Sequence, residues 1–562
     1  MKKMFLLLTL SLTAAHAQSN FQEAQKTGVV LGQNGWLFHI AEFGDFQQEA
    51  ADVSQQKLET IGVISSLFKQ KGIPVVTALV PAKIRLYEKE LPAPFALPPV
   101  IKNRYERNLS SLQGLGVNAP DLLKAMQEGQ KDPLEAQYPV YQKLDHHWSS
   151  RGALIAAKTI TDVLKNLPEV QAVQETKFDL KAAPESDYFD SSLLKRVSEQ
   201  DRQKYPKEKF IPYDLVKTSS ANSLLGDSAP ELVLVGSSAS AGGRMWPFDY
   251  GLAANLQKEF LNTAQAGRGP WLPMEDYLRN PAYQQNPPKA MVWQLWEAFL
   301  LNVDQADLPQ DWIRTVAPLI LGKCDKPKQT LAAAQAQYPA DLSITDYWNA
   351  TINLSGSNRV KVTFQSPQGP QTLEVPVPVE GENYDLNVPV PAGSTGVSVE
   401  PVSAGANLQV QSSQLCDGPA EVAQLLVPAQ NKVDVAKNGR ISRVEISGFS
   451  GVEGGARRWA LGPKSGVSFW QADSKPAVLT VDLYNPLNDQ DLTVLFNNQP
   501  IKSFTGLKAG STLSFTLELP GTIGKNALEF QVKKFNGQPE FFAQQDTRPM
   551  SVMFNRLEVQ FR

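Results

Sequence analysis

The stretch ELVLVGSS at residues 231–238 is the clearest indication of the fold class. Its apolar residues follow one another without polar alternation and stop at Gly236. A short continuous apolar run of this kind is typical of a parallel strand buried on both faces by helices. The polar residues after Gly236 are then expected at the carboxyl end of the strand, where open α/β sheets place their binding and catalytic groups.

The region around this strand, residues 18–325, alternates helical and strand patterns. Ser149 or Ser150 can serve as the N-cap of a helix that begins near residue 153. We therefore expect an α/β domain with a parallel sheet between helices. The elements predicted besides the 231–235 strand are helices at 55–70 and 153–167 and strands at 73–80 and 290–293.

The pattern changes after Cys324 to alternating segments separated by Gly, Pro, Asn and Ser. We expect two β-sandwich domains here, at 326–422 and 423–562, the second jelly-roll-like and a possible carbohydrate-binding module. Pro376 and Pro389 predict edge strands, because proline lacks the N–H that an inner strand donates. The strands predicted are 360–364, 372–377, 384–390, 408–411, 478–483, 492–496, 512–519, 527–532 and 553–561.

The first 17 residues have the basic start, the apolar run and the Ala-x-Ala ending at Ala17 of a secretory signal peptide, with a retained membrane anchor as the alternative. No later apolar run is long enough to cross a bilayer, so we expect a periplasmic or secreted protein without a membrane span after cleavage. In an oxidising compartment Cys324 and Cys416 predict a disulfide, with two buried thiols as the alternative. With 54 basic and 57 acidic residues, the chain has no charge excess that favours nucleic acid.

The segment LDHHW at 144–148 holds the candidate acid–base residues. Once the signal peptide is removed, the chain keeps only His39, His146 and His147. Asp145 and His147 are two residues apart, so on an extended segment they point the same way and the carboxylate can orient the ring. His146 then points to the opposite side, and His39 is assigned a structural role. A polar loop without chemistry and a metal site from His39, His146 and Asp145 are the alternatives.

Ser238 is the candidate nucleophile, because GSS at 236–238 follows the strand directly and the Ser238 N–H can face a developing oxyanion. Ser237 and Ser240 are weaker candidates. A second motif, GDS at 226–228, precedes the strand, so Ser228 is not expected to act.

A serine, a histidine and an aspartate together predict acyl transfer through an acyl-enzyme. This chemistry needs no cofactor and no metal, and the chain has no cysteine cluster that would indicate one.

Four motifs occur in a fixed order: GQNGWLF at 32–38, VPAK at 80–83, DHHW at 145–148 and VGSSAS at 235–240. This order resembles the AlgX/AlgJ family of alginate O-acetyltransferases, which carry an SGNH-hydrolase-like domain, and the resemblance covers residues 28–297. It implies that Asp145, His147 and Ser238 form a catalytic triad.

The resemblance also implies an O-acetyltransferase that acts on an exopolysaccharide or cell-envelope polysaccharide through an acetyl-serine intermediate. A membrane-bound acyltransferase partner would supply the acetyl groups. A polysaccharide acetylesterase with the same triad and a non-catalytic polysaccharide-binding scaffold are the alternatives.

The chain departs from the family pattern at two places, which leaves the acceptor sugar open. Ala239 stands where the family often has an aromatic residue, and WQLWEA at 293–298 lacks the arginine of the family's W-E-x-x-E-R. GGARRW at 454–459 and DTRPM at 546–550 resemble motifs of jelly-roll modules attached to envelope-polysaccharide proteins. The residues predicted to contact substrate are Lys83, Trp148, Arg244 and Trp459. The alternatives are a surface lysine at a strand end for Lys83 and core packing for Trp459.

Overall fold

The computed structural model describes residues 24–301 and 312–562, apart from internal gaps at 25, 45–50, 94, 189–190, 221–229, most of 322–348 and short stretches of the β-rich region. The chain forms two compact units, one of Met1–Glu49 and Lys57–Leu308 and the other of Ala50–Gln56 and Pro309–Arg562. Within the described ranges, no helix has the length and apolar character needed to span a membrane.

Three of the sequence predictions concern residues outside the described ones. These are the signal peptide, Ser228 and the disulfide, because Cys324 and the side chain of Cys416 are not described. All three stay predictions.

The first unit contains strands and helices in alternation, and only the start of its first helix, residues 51–56, is grouped with the second unit. Its strands are β1 (Val29–Leu31), β2 (Leu37–His39), β3 (Val75–Val80), β4 (Thr176–Ala182), β5 (Ser186–Tyr188), β6 (Glu208–Phe210), β7 (Tyr213–Ser220), β8 (Leu232–Val235), β9 (Phe260–Asn262) and β10 (Ala290–Trp296). The helices are α1 (Ala51–Gln70), α2 (Lys83–Leu86), α3 (Pro99–Lys102), α4 (Arg104–Gly114), α5 (Leu122–Gly129), α6 (Ser150–Leu164), α7 (Pro168–Gln171), α8 (Glu199–Arg202), α9 (Phe248–Leu256), α10 (Leu272–Arg279) and α11 (Pro281–Gln285).

A parallel sheet with the strand order β3–β10–β8–β9 forms the centre of this unit. Every residue of β3, β8 and β10 is buried, as expected for strands covered on both faces. Helix α6 begins where predicted, with the Ser149 hydroxyl accepting a hydrogen bond from the Gly152 N–H, and it packs against α9. The predicted α/β architecture is therefore confirmed.

Two small antiparallel ribbons, β4 with β7 and β5 with β6, lie outside the parallel sheet. The sequence analysis did not predict them. Their strands are short or carry charged residues at many positions, as in TKFDLKA of β4, so they have no continuous apolar run to mark them.

The second unit consists mainly of antiparallel strands that follow helix α12 (Trp312–Leu321). Its strands are β11 (Gln329–Thr330), β12 (Gln335–Gln337), β13 (Asn349–Ser355), β14 (Arg359–Gln365), β15 (Gln371–Pro376), β16 (Tyr384–Pro389), β17 (Gly396–Pro401), β18 (Gln409–Cys416), β19 (Lys432–Asp434), β20 (Val444–Ser447), β21 (Arg458–Leu461), β22 (Lys464–Gln471), β23 (Ala477–Asn485), β24 (Gln490–Phe496), β25 (Gln499–Leu507), β26 (Ser511–Leu519), β27 (Gly524–Val532) and β28 (Met550–Gln560).

These strands form two sandwiches, each with an apolar core between two sheets. The first pairs the sheet β11–β18–β13–β16 with β12–β17–β14–β15, and the second pairs β19–β28–β23–β26 with β20–β22–β27–β24–β25. Pro376 ends β15 and Pro389 ends β16, and both strands lie at sheet edges as predicted.

Candidate active site

Strand β8 ends in the turn that carries the candidate nucleophile. The Gln294 side chain of the neighbouring strand β10 supports this turn, because its Oε1 accepts hydrogen bonds from the Ser237 N–H at 2.9 Å, the Ser237 hydroxyl at 3.0 Å and the Ser240 hydroxyl at 3.3 Å. A Cβ atom at Gly236 would lie 2.8 Å from that oxygen, so the close approach requires glycine. The weaker serine candidates are thus engaged beneath the turn.

Ser238 is half-buried and its hydroxyl faces His147, with 2.8 Å between Oγ and the ring Nε2. On the other edge of the ring, Nδ1 lies 2.8 Å from Oδ1 of Asp145. A carboxylate accepts hydrogen bonds, so Nδ1 carries the proton and Nε2 offers a lone pair to the serine. The structure therefore brings together the three residues that the sequence singled out.

Asp145 is fully buried at the far end of this chain of hydrogen bonds. Its Oδ2 accepts from the Tyr188 hydroxyl at 2.8 Å and from the Ser192 N–H at 2.7 Å. Burial opposes ionisation, but hydrogen bonds from His146 and His147 outweigh it and hold the pKa of the Asp145 carboxyl well below its usual range. The side chain is thus an anion ready to orient an imidazole.

His146 lies beside His147 and does not point away from it, so that prediction is wrong. The segment around Asp145 bends, and the His146 N–H and its ring Nδ1 lie 2.6 and 3.0 Å from the same Asp145 Oδ1. The bend removes the strict alternation of an extended strand. The two rings are 3.9 Å apart between centroids, and burial together with the charge of His147 lowers the pKa of His146 to about 4.

His39 has the structural role predicted for it. Its Nδ1 accepts a hydrogen bond from the Ala41 N–H, and its ring meets the edges of His146 and Trp296 at centroid distances of 5.3 and 5.7 Å. Burial lowers the pKa of His39 to about 3, so this ring is neutral at physiological pH.

Lys83 does not contact substrate as predicted, because its side chain is fully buried. Its Nζ donates to the backbone carbonyl oxygens of Leu37, Gln142, Lys143 and Asp145 at 2.6 to 2.9 Å. Burial lowers the pKa of its ammonium group to about 8 against the opposing charges of nearby carboxylates. Lys83 therefore holds the loop that carries Asp145.

The predicted contact at Trp148 is also wrong. This ring is fully buried, and its Nε1–H donates to the Ala239 carbonyl at 3.0 Å, which ties the histidine loop to the nucleophile turn. Trp246, which the sequence analysis missed, stacks on the His147 ring with 3.9 Å between centroids and 20° between planes.

The other two predicted contacts stay predictions. Arg244 is exposed and pairs with Asp214 at 2.7 Å. Trp459, in the second unit, is half-buried with its ring 5.6 Å from Phe542.

Glu297, at the end of β10, lies in a buried charge cluster. Its carboxylate pairs with Arg104 at 2.9 Å, pairs with Arg85 and accepts from the Ala82 N–H at 2.8 Å. Burial opposes ionisation, but the two guanidinium groups hold the pKa of Glu297 down at about 2. The motif WQLWEA thus supports the fold around the site through Gln294 and Glu297.

Ligand atoms of Asp145, His146 and His147 lie within 4.8 Å of one another, a spacing that a metal ion could bridge. Both ring Nδ1 atoms already contact the carboxylate, so an ion bound there would replace the contacts that orient His147. The arrangement fits a hydrogen-bonded triad better than a metal centre.

Tyr188, Ser192, Glu208 and Trp246 carried no signal in the sequence, because each is a common residue type in a segment without a motif. Gln294 could have been found, since it lies in WQLWEA.

The parallel sheet, with Ser238 after strand β8 and the Asp-x-His segment upstream of it, is the arrangement of an SGNH hydrolase-like domain. The family described as "SGNH hydrolase-like domain, acetyltransferase AlgX" matches residues 29–297. The chain is 30% identical over 322 residues to the probable alginate O-acetylase AlgJ of Pseudomonas fluorescens, covering 54% of this chain and 77% of that protein. The chain therefore belongs to the AlgX/AlgJ family.

Two further likenesses extend beyond the first unit. The alginate biosynthesis protein AlgX of Pseudomonas fluorescens is 24% identical over 392 residues, covering 68% of this chain and 78% of that protein. The solved structure of Pseudomonas aeruginosa AlgX covers 70% of this chain and 94% of its own, with 17% identity and a TM-score of 0.53, which indicates a shared fold.

Proposed function

We propose that this protein is an exported polysaccharide O-acetyltransferase that works through an acetyl-Ser238 intermediate. The single observation that carries this proposal is the continuous hydrogen-bonded chain from Asp145 through His147 to Ser238, with 2.8 Å at each step. Family membership supports the choice of acetyl transfer, since the curated relatives are named for alginate O-acetylation.

In the first step, His147 Nε2 takes the proton of the Ser238 hydroxyl while Oγ attacks the carbonyl carbon of the acetyl donor. Negative charge develops on the carbonyl oxygen. The Ser238 N–H is available to stabilise this charge, because it makes no hydrogen bond within the described residues. The bond to the leaving group then breaks, His147 returns the proton to that group, and an acetyl ester remains on Ser238.

In the second step, a sugar hydroxyl attacks the acetyl carbon while His147 takes its proton. The bond to Ser238 Oγ breaks, the proton returns to Oγ, and the acetylated sugar leaves. Asp145 stays ionised and stabilises the imidazolium in both steps. If water attacks instead of the sugar, the same residues perform an acetylesterase reaction.

Residues 1–17 are proposed to direct export, and a membrane-bound acyltransferase is proposed to deliver the acetyl groups. The β-sandwiches are proposed to hold the polymer, with Trp459 as a contact, so that the acceptor concentration near Ser238 is raised. If Trp459 instead serves only the core of its sandwich, the sandwiches lose this support for sugar binding.

The test is acetyl transfer by the purified full chain from an activated acetyl ester to oligosaccharide acceptors. Ser238→Ala should abolish both transfer and acetate release, and the acetyl-enzyme mass should be absent. Ser228→Ala, in the second serine motif, is the matched control and should leave both unchanged. Inactivity of Ser228→Ala with an active Ser238→Ala would contradict the proposed nucleophile.

Two further outcomes separate the alternatives. Acetate release without transfer to any acceptor would favour the acetylesterase, and neither activity in the wild-type chain would favour the binding scaffold. Loss of activity on chelation, with recovery on adding a divalent metal, would favour a metal site at Asp145, His146 and His147.

A further inference from the structure

The β5–β6 ribbon presents two polar side chains to the loop that carries Asp145 and His147. Tyr188 and Glu208 are direct partners across this antiparallel ribbon, so their side chains project from the same face. The Tyr188 hydroxyl donates to Asp145 Oδ2 at 2.8 Å. Glu208 accepts from the N–H groups of Lys143 and Leu144 at 2.5 and 3.0 Å.

The segment after β5 adds contacts to the same loop. The Ser191 hydroxyl donates to the Leu144 carbonyl. The N–H of Ser192 donates to Asp145 Oδ2 at 2.7 Å, and its hydroxyl donates to Oδ1 at 3.0 Å. The β5–β6 ribbon and the segment after β5 thus contact the loop at two of its N–H groups, at the Leu144 carbonyl and at both oxygens of the Asp145 carboxylate.

We propose that the β5–β6 ribbon orients the loop that carries Asp145 and His147, and that Tyr188 is a positioning residue that holds Asp145 toward His147. This inference rests on the proposed triad and goes beyond it, because it concerns a residue that acts on Asp145, through the hydrogen bond from the Tyr188 hydroxyl to Oδ2.

The physical argument concerns how a buried carboxylate is oriented. Asp145 can rotate about its last side-chain bond, and donors on Oδ2 stop that rotation and leave Oδ1 facing the His147 Nδ1–H. Tyr188 also withdraws charge from the carboxylate. Without its hydroxyl, Asp145 becomes more basic and holds the proton of the imidazolium more tightly.

Several charged or titratable groups also face Asp145 and are unchanged when the Tyr188 hydroxyl is removed. His146 and His147 lie on its own loop, while Lys83 from α2, His39 at the end of β2 and Glu208 from β6 interact with it electrostatically. A change produced by Tyr188→Phe therefore reports on the hydroxyl alone.

The experiment compares Tyr188→Phe with Tyr205→Phe in the full chain, using acetate release from an activated acetyl ester between about pH 5 and pH 9. Tyr205 lies between β5 and β6 and packs on the apolar cluster around Leu193, and in the described part of the chain its hydroxyl makes no hydrogen bond. It is therefore the matched control.

Tyr188→Phe should lower kcat about tenfold with KM nearly unchanged, because a hydrogen bond to a charged group is lost. The acid limb of its pH–rate profile should move to higher pH, since a more basic Asp145 keeps the imidazole protonated. Tyr205→Phe should match the wild type in rate and in profile. Ser192→Ala should move the acid limb in the same direction by a smaller amount.

An unchanged kcat, or a lower kcat with an unmoved acid limb and a lower melting temperature, would overturn the positioning role. Failure of the proposed function has a different signature, because Ser238→Ala would then retain activity. A dead Ser238→Ala beside a wild-type-like Tyr188→Phe would remove this inference alone.

Discussion

The two halves of the site are held in place by different kinds of interaction. Charged side chains hold the loop with Asp145 and His147. The buried Lys83 donates to its carbonyl oxygens, and the half-buried Glu208 accepts from its N–H groups. A neutral side chain holds the turn with Ser238, where Gln294 accepts hydrogen bonds from Ser237 and Ser240 through one oxygen.

The proposed acyl transfer would account for this difference, because it creates opposite charges at the two places. The histidine loop must hold a carboxylate and an imidazolium, and buried groups of both signs can stabilise that arrangement. The serine turn lies next to a developing oxyanion, where a fixed anion would oppose the reaction. A neutral amide supports the turn without that penalty.

The largest effect is expected from Lys83→Met. This change leaves carbonyl oxygens of the histidine loop unpaired and removes the charge that balances nearby carboxylates, so unfolding should become easier by about 3–5 kcal/mol. Urea denaturation measures the loss. Lys102→Met is the control, because Lys102 is exposed and its ammonium group pairs with Glu88, a surface contact worth at most about 1 kcal/mol. Equal losses of stability in the two variants would contradict the role of Lys83 in holding the loop.

A smaller effect is expected from Gln294→Leu, which keeps the volume of the side chain and removes the acceptor oxygen beneath the serine turn. Buried donors of Ser237 and Ser240 lose their partner, so stability should fall by about 1–3 kcal/mol and acetate release should slow. Gln294→Glu separates the hydrogen-bonding role from the effect of charge, because it retains an acceptor but adds an anion. Restored stability with slow catalysis is the expected result, and full activity would contradict the oxyanion argument.

The pH dependence of stability tests the buried charges around Lys83, which include Glu42. Burial raises the pKa of Glu42 from 4.5 to about 7, against the opposing charge of Lys83. The folded protein therefore keeps a proton that the unfolded chain releases near pH 4.5, and this contribution to stability is lost as pH rises to about 7. Denaturation of Glu42→Gln between these pH values should lack this decline. The same slope in wild type and variant would show that another group causes it.

The smallest effect on the chemistry is expected from Trp459→Ala in the second unit. Acetate release from a small ester should stay at the wild-type level, because Trp459 lies in a sandwich and not in the α/β unit that holds the triad. Acetylation of a polymer should weaken if this ring stacks on sugars. A matched loss on both substrates would mean that the variant damages the fold.

Much of the fold could be predicted because many of its strands and helices are marked by apolar residues that are close together in the sequence. The β8 strand, the parallel strands beside it, the N-cap of α6 and the edge strands with Pro376 and Pro389 are examples. The β5–β6 ribbon could not be predicted, since its strands SDY and EKF are short and polar. These two strands contact the loop that carries Asp145, and such contacts between distant segments are not visible in the local sequence.

From the sequence alone, acyl transfer and three candidate residues for it could be predicted. Histidine is scarce, Asp145 and His147 are two residues apart, and Ser238 directly follows a buried strand. The surroundings of these three residues follow from the tertiary structure. Lys83 and Trp148 support the site from its interior, His146 joins the carboxylate because the loop bends, and Tyr188 reaches Asp145 from a distant segment. These roles depend on burial and direction, which are set when separate segments pack together.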